Sequence, residues 1–256
     1  MINKPVTAQY QNLHCKICDG STKIYGVCDF NKSCEGDRIL NQMPLIGVAV
    51  YYHRCNDCGF IFTIDFDTWS KDDFLNNIYN DQYIVVDPEY KNIRPKNCIE
   101  WFYSVFGKKN NLSVLDYGAG TNDFSQLLQN DGIDAIGWDP MWQIQPQFDK
   151  NKKFDVITAI EVLEHTPFPC ETIREMINYL KPTGQIIFST LVNDTMTTEG
   201  INSYYISPRN GHVCMYSGKS LEILFDQFGM RMKPFEIVME DSRVMYDGVR
   251  HRAVWK

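Results

Sequence analysis

The chain has no basic excess: 25 lysines and arginines stand against 32 aspartates and glutamates, a formal charge of -7. Lacking a basic tract, it lacks the electrostatic footprint by which most proteins hold polyanionic RNA or DNA, which disfavours nucleic acid as a partner. No apolar run approaches the length of a membrane span, and Met1–Leu13 has neither the charged nor the apolar part of a secretory signal. The expectation is a cytoplasmic protein without membrane contact. In that setting nine cysteines serve as thiols and metal ligands rather than as disulfides. Internal repeats and low-complexity segments are also lacking, which excludes a repeat architecture. With 256 residues the chain can bury a full core, enough for one main domain and a smaller one.

What is present centres on Val114–Phe124, VLDYGAGTNDF. An apolar strand closed by Asp116 runs into a glycine turn, and Phe124, Leu127 and Leu128 then recur at helical spacing. Gly118 and Gly120 allow the backbone to turn sharply and approach a ligand closely. Asp139 ends the next apolar strand, 23 residues after Asp116, where nucleotide-binding α/β folds hydrogen-bond ribose hydroxyls. A nicotinamide dinucleotide is disfavoured. The Gly-x-Gly-x-x-Gly fingerprint is missing, and Asp123 stands where its last glycine would meet the pyrophosphate.

A further apolar strand follows, FDVITAIEVLEHTPFP (Phe154–Pro169), then a helix-like segment Cys170–Leu180, then a turn and strand in LKPTGQIIFST (Leu180–Thr190). This succession resembles the class I S-adenosylmethionine-dependent methyltransferases, in particular the subgroup with a Glu-Val-Leu-Glu-His segment after its fourth strand. The resemblance covers about residues 93–256. It implies an α/β fold with a doubly wound, mostly parallel, Rossmann-like sheet, and S-adenosylmethionine held by Asp116, Gly118, Gly120, Asn122, Asp139 and Glu161. Two departures stand out. Asn122 replaces the third glycine of the family's turn, a position that asparagine tolerates because it accepts positive φ. The interval from Asp139 to Phe154 leaves little room for the usual third strand and helix, so Trp142 or Met141 is offered for the adenine wall.

Cys15-x-x-Cys18 and Cys55-x-x-Cys58 form two short knuckles, followed by Gly20 and Gly59. Two such pairs complete a closed tetrahedral Cys₄ zinc site, which has no open position and is therefore structural. Cys28 and Cys34 lie between the pairs and remain alternatives for one ligand. The strand-like LIGVAVYYHRC and GFIFTIDF supply a ribbon around the ion. The expected division is a zinc-ribbon-like N-terminal domain with its connecting segment, 1–92, and a cofactor domain, 93–256. Residues 67–95 read as a connector of short helical turns. Zinc loss is expected to unfold the first domain and leave the second largely intact.

A zinc module ahead of a methyltransferase resembles two groups: bacterial methyltransferases acting on nucleotide-linked deoxysugars, and ribosomal RNA methyltransferases with a short zinc finger. The wide gap between the pairs and the acidic composition favour the first, which implies a small-molecule sugar acceptor. An RNA methyltransferase, and a non-catalytic binding protein with a degenerate fold, remain the alternatives. An unactivated sugar hydroxyl needs a general base. His165, in EVLEHTP, follows the fourth strand at the edge where this fold binds ligands. His212, in SYYISPRNGHVCMYS, resembles the acceptor-facing segment of the sugar enzymes, with Tyr204, Tyr205, Arg209 and Asn210 just upstream. His212, His165 and Tyr204 are the catalytic candidates. MKPFEIVME and VRHRAVWK read as a closing hairpin with an antiparallel last strand.

Overall fold

The computed structural model describes residues 12–35, 43–91, 93–108, 111–142, 146, 148–149, 151–192, 199–233 and 250–255. Its main sheet has six strands in the order β5-β4-β6-β7-β10-β9. These are β4 (Ser113–Tyr117), β5 (Asp134–Trp138), β6 (Phe154–Ile160), β7 (Leu180–Ser189), β9 (Met230–Lys233) and β10 (Arg250–Trp255). β4 pairs in parallel with β5 and β6, β6 in parallel with β7, and β10 runs antiparallel to both β7 and β9. Every residue of β4 is buried, as a central parallel strand covered on both faces requires.

Alternate strand residues feed two cores. Val114, Ala135, Val156 and Ile187 pack with Trp101 and Phe102 of α3 (Arg94–Phe106) and with Phe124 and Leu128 of α4 (Asp123–Asn130). Leu115, Ile157, Ile186 and Phe188 pack with Ile173 and Met176 of α5 (Pro169–Tyr179) and with Leu221, Leu224 and Phe225 of α6 (Gly218–Asp226). Helices thus cover both faces, and the chain reverses its direction of strand addition at β4, which opens a crevice at the strands' carboxyl ends.

The closing hairpin forms between β9 and β10, with 234–249 outside the described residues. Among the described residues no strand lies between β5 and β6, in line with the short interval after Asp139. The turn expected at Lys181–Gly184 is instead a register shift within one strand: Leu180 pairs with Phe154 and Gln185 with Val156. Gly184 is required there, because a Cβ would lie 2.7 Å from the Leu180 side chain and 3.0 Å from the Asp155 carbonyl.

A second sheet has the order β1-β2-β3-β8, all antiparallel. Its strands are β1 (Thr22–Asp29), β2 (Ala49–Cys55), β3 (Ile61–Thr63) and β8 (Cys214–Met215). The fourth strand therefore comes from the far end of the chain, and one hydrophobic cluster runs from Tyr52, Phe60 and Phe62 to Met215, Tyr216 and Leu221. Part of the connector 67–95 folds as α1 (Lys71–Asn77), started by a Ser70/Asp73 capping box, and α2 (Tyr83–Val86).

Candidate active site

The crevice is a cavity of 620 Å³ at the carboxyl ends of β4, β5 and β6. Asp116, Gly118, Gly120, Asp139 and Glu161 line it, as do Met141, Trp142 and His165. Asp139 lies at the end of β5, and its carboxylate accepts the Gly120 amide at 2.9 Å and the Met141 amide at 2.8 Å. The acid thereby ties the glycine turn to the next strand. Burial raises its pKa, against the pull of those two amides.

Asn122 does not line the cavity. It caps α4 in the left-handed region at φ 68°, so the turn keeps its shape without a third glycine. Its side-chain oxygen accepts from Ser125 Oγ and sits over Gly137 of β5, where a Cβ would come within 2.0 Å of it. The asparagine and Gly137 are thus fitted to each other.

The two turn glycines differ in surroundings. At Gly118, φ is +76° and a Cβ would lie 2.5 Å from Val162 Cγ2; at Gly120, φ is +53° and nothing lies within 4 Å. Gly118→Ala should therefore lose the backbone cost of about 1–2 kcal/mol plus about 1–3 kcal/mol for the clash, and so more stability in urea denaturation than Gly120→Ala. Gly120→Ala should lose only the backbone cost of about 1–2 kcal/mol, yet impair ligand binding, since its methyl would enter the cavity. Equal destabilisation by the two substitutions would contradict this assignment.

Asp116 is 5 % exposed and accepts from Thr158 Oγ1 at 3.0 Å. Burial pushes its pKa up to about 7. The ionised form is penalised in the folded chain, so this group's contribution to stability is full below about pH 4 and lost as the pH rises to about 7. Asp116→Asn keeps the acceptor for Thr158 and removes the penalty. It should raise unfolding stability at pH 8 by on the order of 4 kcal/mol and leave little difference at pH 4. Urea midpoints at the two pH values measure this, and a variant less stable than wild type at pH 8 would refute it.

His165 ends a single 3₁₀ turn, Leu163–His165, after β6, and is half-buried at the cavity wall. Its Nδ1 lies 3.3 Å from the Tyr79 hydroxyl, and its ring meets that of His212 edge-on with centroids 4.8 Å apart. Burial, then the His212 ring and the Arg94 charge, hold its pKa well below the usual histidine value. His212 is 6 % exposed and stands behind His165, away from the cavity lining, with Nδ1 2.7 Å from the Tyr205 carbonyl and 3.1 Å from Ser207 Oγ.

Glu164 is fully buried, and its Oε1 accepts from the Tyr205 hydroxyl at 2.5 Å. Burial and the neighbouring Glu161 raise its pKa well above the usual range. Glu161 itself has φ +52° and accepts from Ser189 Oγ at 2.5 Å. Donor atoms of Glu164, His165 and His212 lie within 4.8 Å of one another. Tyr205 engages both Glu164 and His212, and we read the group as a hydrogen-bonded network.

The segment upstream of His212 turns inward. Tyr204, Arg209 and Asn210 do not line the cavity. Arg209 donates to the Ile78 carbonyl at 2.9 Å and to Asn80 Oδ1 at 3.2 Å, and Asn210 to the Val86 carbonyl at 2.8 Å. Arg209 and Asn210 thus brace the α1–α2 segment, which borders the cavity. Tyr79 and Tyr83 from that segment and Arg94, the first residue of α3, line it, and Arg94 is held by a bidentate pair to Asp87 at 2.9 Å. Sequence reasoning missed them by treating 67–95 as a connector. The available signal was the Tyr79/Tyr83 pair at helical spacing, beside an acid and an arginine.

The four cysteines of the knuckles come together, with sulfurs all within 4.8 Å of one another. Cys15 and Cys58 sulfurs are 3.6 Å apart and Cys18 and Cys55 3.5 Å. Four thiolates at about 2.3 Å from a tetrahedral zinc stand about 3.8 Å apart, so the cluster fits that ion. Backbone amides of Ile17, Asp57 and Cys58 point at the sulfurs at 3.4 Å, as they do where thiolate charge is to be stabilised. The left-handed position after each knuckle is Asp19 in the first and Gly59 in the second. Gly20 is required for space instead, since a Cβ would lie 2.1 Å from Asp57 Oδ2. Cys34 lies away from the cluster, 3.0 Å from Ser207 Oγ and 3.9 Å from His212 Nδ1, and Cys28 is likewise not part of it.

A glycine turn and a terminal strand acid at the switch point of this sheet, closed by an antiparallel hairpin, define a Rossmann-like class I methyltransferase fold. Residues 90–233, more than half of the chain, match the profile of the methyltransferase-domain family, and the chain belongs to that family. It is 30% identical over 122 residues to a ubiquinone biosynthesis O-methyltransferase of Aliivibrio fischeri, covering 39% of this chain and 50% of the relative. It is 50% identical over 118 residues to the enzyme of the same name from Pseudomonas putida, covering 37% and 49%. The chain thus spans about half the length of the curated relatives it matches. Among solved structures, the plantazolicin methyltransferase BpumL with SAH is similar at 16% identity and a TM-score of 0.45, covering 67% of this chain and 86% of that one. Magnesium protoporphyrin IX methyltransferase from Synechocystis is similar at 16% identity and 0.45, covering 75% and 97%. Among the described residues no helix is long and apolar enough to cross a membrane.

Proposed function

We propose that the chain transfers a methyl group from S-adenosylmethionine to a small-molecule acceptor held in the 620 Å³ cavity. The observation that carries this is the convergence of Gly118, Gly120, Asp139 and His165 on one cavity in a chain of this family. Bound S-adenosylmethionine supplies an electrophilic methyl group. Asp116, Asp139 and Glu161 give the cavity an acidic lining that suits a sulfonium, and Asp139 is placed to accept from ribose hydroxyls. Met141 and Trp142 stand beside Asp139 as walls for the adenine. His165 takes the acceptor's proton, and His212 braces it from behind. Residues 1–92 carry a structural zinc on Cys15, Cys18, Cys55 and Cys58, ahead of the cofactor domain 93–256.

The finer reading of the acceptor is a nucleotide-linked sugar, and its support is the cysteine module ahead of the methyltransferase. The 204–210 segment, whose position faces inward, adds nothing to it. RNA is disfavoured by the formal charge of -7. A non-catalytic reading loses ground because Asn122 preserves the left-handed turn.

Calorimetry with S-adenosylhomocysteine tests the cofactor. Wild type should bind, and Asp139→Ala should bind about 1–3 kcal/mol more weakly, the loss expected for a hydrogen-bonded carboxylate. Absence of binding to wild type ends the proposal. Labelled S-adenosylmethionine offered with nucleotide sugars, small phenols and total RNA then identifies the acceptor, and label entering RNA alone would overturn the small-molecule reading.

A further inference from the structure

We propose that Lys16 couples the cysteine cluster to the ligand cavity, so that the state of the one is felt in the other. The inference rests on the cofactor and zinc readings above. Lys16 lies inside the first knuckle, between Cys15 and Cys18, and its backbone is therefore positioned by whatever holds those two thiolates. Its side chain is only 14 % exposed. The ammonium reaches three oxygens from separate parts of the chain: the Thr63 carbonyl at 3.0 Å, Asp67 Oδ1 at 2.5 Å and the Pro167 carbonyl at 3.0 Å. An ammonium has three donors, and all three are committed. The same charge lies 5.4 Å from the Phe62 ring centroid and 5.6 Å from that of Phe168.

Pro167 and Phe168 are cavity wall, two and three residues beyond His165. They lead into α5, whose Glu171, Thr172 and Glu175 also line the cavity. The knuckle's own carbonyls grip the same neighbourhood: Cys170 Sγ donates to the Lys16 carbonyl at 3.5 Å and Gln227 Nε2 to the Ile17 carbonyl at 2.6 Å. A turn that a metal on Cys15 and Cys18 would clamp thus projects one side chain that pins the loop following His165. If the turn relaxes, the Thr63 and Pro167 carbonyls lose a charged donor in a half-buried place. Lys16 touches neither cofactor nor acceptor, so its role is positioning. Coupling between two sites is reciprocal: what the cluster does for cavity affinity, a cavity ligand does for the cluster.

The full chain loaded with cobalt(II) in place of zinc gives both sides of the test, because thiolate-bound cobalt absorbs visible light. S-adenosylhomocysteine added to wild type should shift the cobalt bands at saturation. Lys16→Met keeps the packing of the stem and removes the donors. It should retain one metal per chain and the wild-type circular dichroism, bind S-adenosylhomocysteine at least fivefold more weakly by calorimetry, and show no band shift. Lys16→Arg, which retains the charge and donors, should recover part of both responses. Wild-type affinity in Lys16→Met would overturn the proposal. So would weakened affinity with the band shift intact, since the wall would then depend on Lys16 without any link to the metal. Failure of wild type to bind S-adenosylhomocysteine would refute the cofactor reading, and well under one metal per chain the zinc reading, each by its own measurement and each removing this proposal with it.

Discussion

Stripping the metal from Cys15, Cys18, Cys55 and Cys58 with a strong chelator should unfold the four-stranded sheet and abolish binding of S-adenosylhomocysteine as well. Structural zinc commonly contributes on the order of 10 kcal/mol to folding, and a sheet this small has little else to replace it. The sequence alone led to a different expectation, in which the cofactor domain would survive. Three contacts change that. The Thr63 amide bonds the Val213 carbonyl at 3.0 Å, the Val213 amide bonds the Glu164 carbonyl at 2.8 Å, and the Tyr52 hydroxyl bonds the His212 carbonyl at 2.7 Å. Ser217, the N-cap of α6, also donates to the Cys58 carbonyl. The knuckles and the histidine pair share one hydrogen-bonded ladder, so losing the first exposes the second. Far-UV circular dichroism and calorimetry before and after chelation measure both effects. Retained ligand affinity in fully stripped protein would show that the cofactor domain stands alone.

The parts of the fold that were legible in the sequence are those fixed by local chemistry. The strand-turn-helix at Val114–Phe124 is dictated by an apolar run, positive-φ positions and a helical repeat, and it lies where expected as β4 and α4. The cysteine knuckles were equally legible, because two thiols three positions apart can only close on a tight turn. Long-range pairing was not. Nothing in Cys214–Met215 marks two residues as the last strand of a sheet begun at Thr22, since so short a strand carries no periodic signal. The same limit misplaced Arg209 and Asn210, whose polarity is spent on backbone carbonyls and a side chain of the α1–α2 segment, a demand that exists only in the folded chain. Conversely, Tyr79 and Arg94 looked like connector residues until the fold laid that segment over the cavity.

His165→Ala should slow methyl transfer by 10²- to 10⁴-fold, the usual worth of a positioned general base, while leaving S-adenosylhomocysteine affinity within about threefold of wild type. Sequence patterns left both histidines as candidates; exposure separates them. His165 lines the cavity, whereas His212 is 6 % exposed and keeps its Nδ1 on the Tyr205 carbonyl, so only His165 can meet an acceptor directly. His212→Ala should therefore cost much less than His165→Ala, through loss of the ring that packs against it. The pH dependence follows from the same surroundings. A base must be unprotonated to act, and burial, His212 and Arg94 hold the His165 pKa well below 6.5. Transfer should consequently show no loss attributable to His165 from neutral pH upward, and should fall only in acid, as the imidazole gains its proton. Single-turnover rates with the acceptor identified by the labelling panel, taken across pH, check all three expectations. A His165→Ala enzyme within tenfold of wild type would place the base elsewhere. A His212→Ala enzyme slower than His165→Ala would reverse the two assignments.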